Sequence, residues 1–412
     1  MPSTSFRTNG WARAEPPSIL LISDEWSPKR GGISQFNRRL AITFAAEGYR
    51  TACLVEAASA IESADAEEHD VRLFTAPATP DGPRLFVPSP EVVAWCPDVV
   101  IGHDIVSGSV AWAYSKYYVP TAALVHVMHT SPAQNESYKP HPDRARRTSD
   151  RERRMREIAA DAAVVAAVGP LLRNRAEAIL GSRDVLQLDP GIDIPDDPRW
   201  LRRSPPSNSI VLMVCRTEYI EPKGLDIAAS AVAGMRYPYH RPPPELRIRG
   251  AHGERCDSLK DELVTRFGIA RDRIDVREYD AAPAAIAQDL GHAALFLMPS
   301  RAEGFGLAAL EAIGLGTPVL ISSRSGLAQM LRDNCPEFAE PMIVPVMDDL
   351  EQDIRTWRNA VERKMDNLTG AFDYAREMQR RLAVRFRWSA TVSTLVSRLP
   401  VPAQRRSKPQ GP

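Results

Sequence analysis

A chain of 412 residues outgrows a single hydrophobic core, so at least two domains are expected. Lysine plus arginine balance aspartate plus glutamate at 52 each, which argues against a dedicated nucleic-acid binder. Five cysteines, odd in number and without Cys-x-x-Cys spacing, fit reduced thiols in a cytoplasmic protein and leave no zinc site.

Residues 1–17 are polar, lack the apolar core of a signal peptide, and read as a disordered start. Nothing in the chain approaches a membrane-spanning helix. From Ser18 onward, apolar strand-like runs alternate with helical ones, the pattern of parallel α/β sheets. The first domain, residues 18–195, holds strands near Ile19, Ala52, Val71, Val99, Ala122, Val164 and Val185. After the first strand, Lys29-Arg30-Gly31-Gly32 makes a glycine turn, and Ser34 is expected to cap a helix reaching about Tyr49. His103 closes the strand near Val99. The run from Thr121 to Val127 carries His126 and closes at His129-Thr130. Between Asp143 and Glu157 stand seven arginines and four acids, most simply a solvated, salt-bridged helix face. Contact with an anionic acceptor or a lipid headgroup stays open as the second reading of that stretch.

Pro195, Pro198, Pro205 and Pro206 mark a stiff linker over residues 196–208. The second domain, residues 209–385, holds strands near Val211, Leu246, Ile274, Leu295, Val319 and Ile343. Its most informative stretch is Ala294 to Ile321. A doubly buried strand leads into the loop Ser300 to Gly306, then a helix, then a further strand. In open parallel sheets ligands sit beyond the carboxyl ends of strands, so Glu303 would face a ligand. Gly304 and Gly306 let the backbone approach, and the free amides at the start of the Leu307 helix favour an anion. Glu311 lies one turn further on the same helix face, where a carboxylate can accept two vicinal hydroxyls.

The run from Glu303 to Glu311 resembles the Glu-x7-Glu motif of retaining glycosyltransferases with the GT-B fold, most closely glycosyltransferase family 4. Pro299-Ser300 before it, and Glu311-Ala312 with Gly316-Thr317-Pro318-Val319 behind it, match the wording of that family. The resemblance implies two Rossmann-like domains facing each other across a cleft, with a nucleotide-sugar donor on the second domain. Arg216 and Lys223-Gly224, after the strand near Val211, resemble the pair that binds the donor diphosphate. Two departures bear on that loop: Cys215 replaces a usual glycine, and the span from Arg216 to Lys223 is longer than usual. Gly31 and Gly32 resemble the first-domain turn near the donor phosphates or the acceptor. A family histidine at a strand end meets the donor sugar; counting from Pro120 favours His126, whereas the strand end favours His129, which we prefer. For His103, His126 and His129 alike, a packed structural role stands beside the sugar contact. Gly250 and Tyr279 end strands whose loops receive the nucleotide base in the family, and for Tyr279 a packing role stands beside that contact. Phe305 and Leu307 join Gly304, Gly306 and Glu311 on the donor side.

Towards the carboxyl end the family phrase Gly-Leu-x-Glu becomes Gly326-Leu327-Ala328-Gln329, and Asn334-Cys335-Pro336-Glu337 replaces a short glycine turn. One amphipathic helix is expected from Phe372 to Leu399, of which residues 386–399 match the terminal segment that packs back on the first domain. Residues 400–412 read as a disordered tail. The implied activity is retaining, metal-independent transfer of a sugar from a nucleotide diphosphate to an acceptor of unknown class: glycan, natural product, lipid or protein. Arg216, Lys223, Glu303 and His129 are the expected catalytic set, with no metal and no further cofactor. An epimerase or phosphorylase on the same architecture, and a sensor or partner-binding module in a bacterial conflict system, are the alternatives.

Overall fold

The computed structural model describes residues 16–400, apart from 30, 83, 140, 182, 196–202, 237–242 and 281–282. The ends expected to be disordered therefore lie outside the described residues, save Pro16, Pro17 and Pro400, and so does the first part of the linker.

Two parallel sheets organise the chain. The first contains β1 (Ile19–Ile22), β2 (Thr51–Val55), β3 (Val71–Thr75), β4 (Val99–His103), β5 (Ala123–Met128), β6 (Val164–Val168) and β7 (Leu186–Leu188), in the order β3-β2-β1-β4-β5-β6-β7. The second contains β8 (Ile210–Val214), β9 (Glu245–Ala251), β10 (Ile274–Glu278), β11 (Leu295–Met298), β12 (Val319–Ser322) and β13 (Ile343–Val344), in the order β10-β9-β8-β11-β12-β13. Every strand expected from the sequence is present. Helices cover both faces of each sheet, so strand residues are buried on either side and polar alternation disappears; Ile19 to Ile22 are all fully buried.

Strand order reverses beside β1 and β4 in the first sheet, and beside β8 and β11 in the second. At such a reversal the loops leave in opposite directions and open a crevice at the carboxyl ends of the strands. The four loops placed there carry Gly31-Gly32, His103-Asp104, Arg216–Lys223 and Ser300–Gly306.

The helix after β1 runs Gly32–Ala46, not from Ser34 to Tyr49. Gly31 turns the chain at φ 118°, a conformation that needs glycine, so the helix begins earlier, makes no side-chain cap, and buries Ser34 within its first turns. The expected single helix from Phe372 to Leu399 is two, Leu368–Arg385 and Trp388–Val396. Phe386 breaks it: its backbone is extended, and its carbonyl accepts from Ile192 N at 3.0 Å. The break turns the last helix onto the Gly32–Ala46 helix, where Phe36 and Trp388 stack edge to face at 5.3 Å. From Arg203 onward the chain is tied to the second domain, because the buried Arg203 guanidinium donates to Ala293 O and Thr317 Oγ1. Among the described residues, no helix is long and apolar enough to cross a membrane.

Candidate active site in the interdomain cleft

After β8 the chain makes a short helix, Ile220–Lys223, and turns at Gly224 with φ 68°. A Cβ at Gly224 would meet Pro299 O at 2.2 Å, so glycine lets this loop press against the end of β11. Lys223 Nζ consequently lies 2.9 Å from Glu303 Oε2, and Ser300 Oγ donates to the same oxygen at 3.4 Å. Burial disfavours the Lys223 ammonium, yet the Glu303 carboxylate outweighs it and holds the lysine pKa above its ordinary value.

Glu303 is followed by the glycine loop. Gly304 packs so tightly on the first domain that a Cβ there would meet His129 O at 2.5 Å. Gly306 takes φ 108°, and the Leu307–Gly314 helix starts from it without a side-chain cap. Phe305 is buried, its ring against Gly169 of the first domain, so it serves domain packing. Leu307 approaches Gly32: a Cβ there would lie 3.3 Å from Leu307 Cδ1.

Across the cleft, Arg216 reaches the first-domain glycine turn. Tyr279 OH donates to Pro28 O in the same turn region. Burial, and then the Glu311 and Glu25 carboxylates, push the Tyr279 phenol well above its usual pKa. Gly250, at φ 130°, has a packing reason of its own: a Cβ would meet Cys215 O at 2.0 Å, where β9 presses on the loop after β8. Cys215 is pushed up to about 12 by burial.

Glu311 faces the Gly32–Ala46 helix. Burial and the nearby Asp193 carboxylate raise its pKa to about 7, opposed by Arg39 and a hydrogen bond with Gln35. Arg39 Nε in turn pairs with Asp193 Oδ2 at 2.9 Å.

The three histidines separate clearly. His103 Nε2 lies 2.8 Å from Asn37 Oδ1, which can only accept, so that nitrogen carries the proton. His103 Nδ1 then accepts from His129 Nε2 at 2.9 Å, leaving His129 Nδ1 as an unprotonated acceptor. Burial holds His129 well below its usual pKa, and His103 at about 3. The His129 backbone N–H donates to Asp104 Oδ1 at 2.7 Å, and Thr130 Oγ1 donates to the other oxygen at 2.8 Å. His126 is fully buried, with neither ring nitrogen hydrogen-bonded and its ring against Gly108. It has no open surface to offer a ligand.

Residues 20–395 match the family described as Family 4 Glycosyltransferase in conflict systems. The chain belongs to that family. It is also 31% identical over 261 residues to a D-inositol 3-phosphate glycosyltransferase of Actinosynnema mirum, covering 57% of this chain and 58% of that protein. A protein of the same name from Jonesia denitrificans is 26% identical over 321 residues, covering 73% and 70%. This family 4 chain thus spans little more than half the length of the first of these relatives. Among solved structures, sucrose-phosphate synthase from Thermosynechococcus elongatus superposes with a TM-score of 0.68 at 20% identity, over 92% of this chain and 97% of that one. Anabaena Alr3699/HepE in complex with UDP-glucose gives 0.68 at 17% identity, over 92% and 98%. These likenesses establish the fold as GT-B.

Two parts of the family 4 chain carried no signal in the sequence. One is the buried pair Arg301–Asp226 behind Lys223 and Glu303. The other is the first-domain set Asn37, Gln35 and Arg39, on a helix whose spacing reveals only that it is amphipathic. The variant phrase beginning at Gly326 supports the glycine loop: Leu327 N donates to Phe305 O at 2.8 Å, and a Cβ at Gly326 would meet Gly304 O at 2.4 Å. The arginine-rich stretch is the Arg144–Asp161 helix. Its charges are engaged: Arg147 and Arg151 face the buried Glu136, and Arg153, Arg154 and Arg156 pair with acids of their own helix. Among the described residues no group of three His, Cys, Asp or Glu side chains could hold a metal ion.

Proposed function

We propose that this chain is a retaining glycosyltransferase that moves a sugar from a nucleotide diphosphate to an acceptor hydroxyl or other nucleophile. The observation that carries the reading is the Lys223–Glu303 contact of 2.9 Å at the reversal point of the second sheet, with Arg216 opposite Gly31. A structural neighbour of the same fold, Anabaena Alr3699/HepE, is known in complex with UDP-glucose, which supports the donor class.

Breaking the bond between the anomeric carbon and phosphate builds negative charge on the diphosphate and positive charge on the sugar. Lys223, Arg216 and the amides opening the Leu307 helix stabilise the first. Glu303 and His129 orient hydroxyls of the second, and His129, through its unprotonated Nδ1, takes a hydrogen bond from one of them. Glu311 accepts from the ribose. Lys223 and Arg216 supply the charge that a divalent ion supplies elsewhere, so the reaction proceeds without added metal. The leaving phosphate itself accepts the acceptor's proton. Unpaired cysteines support a reducing, cytoplasmic setting.

A thermal-shift panel of uridine, guanosine and adenosine diphosphate sugars tests the donor class. Saturation at a hundredfold above Kd adds about 2.7 kcal/mol of stability, a visible shift in melting. Silence from all three would end the reading. Anomeric configuration of the product by NMR tests retention, and activity in EDTA tests metal independence. Free sugar or sugar phosphate as the main product would point instead to the epimerase or phosphorylase alternative.

A further inference from the structure

Lys223 closes the short Ile220–Lys223 helix after β8, and Glu303 sits on the irregular loop after β11, so the two belong to separate segments. A contact of 2.9 Å between their tips requires something to set the loops against each other. Arg301 does this with its backbone and its side chain together. Arg301 N and Ala302 N both donate to Pro222 O, at 3.0 and 3.2 Å. The Arg301 guanidinium donates from Nη1 to Glu221 O at 2.9 Å, and from Nη1 and Nη2 to the two carboxylate oxygens of Asp226 at 2.8 Å each. Both side chains are buried, Arg301 at 8% and Asp226 at 7% exposure. The residues immediately before Lys223 and those immediately before Glu303 are therefore held by one planar group with fixed hydrogen-bond directions.

The same residue meets the first domain. Gln134 Nε2 donates to Arg301 O at 3.4 Å, and Gln134 is itself engaged by Arg175. Arg301 thus stands where three segments join: the diphosphate loop, the glutamate loop and the first-domain wall of the cleft.

We propose that Arg301 and Asp226 are positioning residues for transfer. They place the Lys223 ammonium where charge develops on the leaving diphosphate, without touching donor or acceptor. This rests on the reading that Lys223 meets the diphosphate. The guanidinium fork matters as much as its charge, since an ammonium at the Nη1 place could reach Glu221 O and one Asp226 oxygen but could not grip both carboxylate oxygens in one plane. A misplacement of about 1 Å at the reacting centre costs on the order of a hundredfold in rate.

The test compares Arg301→Lys, the apolar pair Arg301→Met with Asp226→Leu, and Lys223→Ala. Each is measured for melting temperature, for affinity towards uridine, guanosine and adenosine diphosphate, and for kcat and KM with the corresponding diphosphate sugars. Replacing both partners restores a packed interior, so the double variant keeps its melting temperature within a few degrees while kcat falls at least tenfold and KM changes little. Arg301→Lys folds and lies between it and the native chain in kcat. Native kcat in the folded double variant would overturn the proposal. A double variant that fails to fold leaves the decision to Arg301→Lys, whose native kcat would overturn it equally. If Lys223→Ala is also without effect on affinity and turnover, the reading that Lys223 meets the diphosphate falls; if Lys223→Ala is impaired while both Arg301 variants are not, only the positioning role falls.

Discussion

Gly31 and Arg216 meet across the cleft: a Cβ placed on Gly31 would lie 3.0 Å from Arg216 Nε and 3.1 Å from Nη2. Gly31 opens the first helix of one domain, and Arg216 follows β8 of the other. The turn's conformation therefore sets where a second-domain cation can stand. At φ 118°, any other residue adds backbone strain to the crowding of the guanidinium.

Gly31→Ala is accordingly expected to act mainly on the diphosphate. Strain at this position costs about 1–3 kcal/mol of stability. Displacing Arg216 should weaken nucleoside diphosphate binding by roughly tenfold, the value of one charged hydrogen bond. Calorimetric titration of the folded variant checks this. Unaltered affinity would show that Arg216 works independently of the turn.

Lys223→Ala removes the ammonium beside Glu303. Turnover should fall on the order of a hundredfold or more, because a preorganised charge aimed at the leaving group is lost. Single-turnover kinetics separates this from slow product release. A folded variant with near-native chemistry would take Lys223 out of the mechanism.

Glu311 gives binding a pH dependence. Its carboxyl titrates near pH 7 in the unliganded protein, because burial and Asp193 favour the neutral form. A ribose needs the ionised acceptor, so nucleotide affinity should rise as pH climbs through 7 and level off above it. The stability sign is opposite: a raised carboxyl pKa means that the fold favours the proton, so stability is lost as pH rises from the ordinary carboxylate range through 7. Glu311→Gln should flatten both profiles, measured by titration calorimetry and by denaturant unfolding from pH 6 to 8. An unchanged slope in the variant assigns the titration elsewhere.

His126 makes the first domain sensitive to acid. Burial without a hydrogen-bond partner lowers its pKa to about 4, against an ordinary 6.5. A depressed histidine pKa leaves stability intact above pH 6.5; the loss accumulates as pH falls towards 4, while the unfolded chain takes up the proton and the folded one does not. At pH 5 this amounts to about 2 kcal/mol from His126 alone. His126→Leu should recover that amount at pH 5 relative to pH 8 in urea titrations. Equal pH sensitivity in variant and native chain would show that the ring is solvated in the folded state.

Much of the architecture is legible in the residue pattern. Strands such as Ile19–Ile22 and Leu295–Met298 announce themselves because a parallel sheet covered on both faces demands unbroken apolar residues. The glycine loop from Glu303 was legible for a related reason. Close backbone approach and left-handed turns require particular residues at particular spacings, and Gly306 at φ 108° is such a position.

Ends of elements were less legible. The break at Phe386 comes from a hydrogen bond to Ile192, nearly two hundred positions earlier, and the amphipathic period of that stretch runs through it without interruption.

Local order along the chain determined the two-sheet plan, the strand-end loops and the chemical character of the candidate site, because backbone sterics and burial act over a few neighbouring residues. Tertiary structure alone decided that His129 joins His103 and Asn37 while His126 stays enclosed, that Glu311 looks towards Gln35, and that Arg301 binds Asp226. Those choices depend on strand order and on how two domains meet. Each brings together groups distant in sequence, and long-range pairing of that kind leaves no periodic trace in the residues that take part.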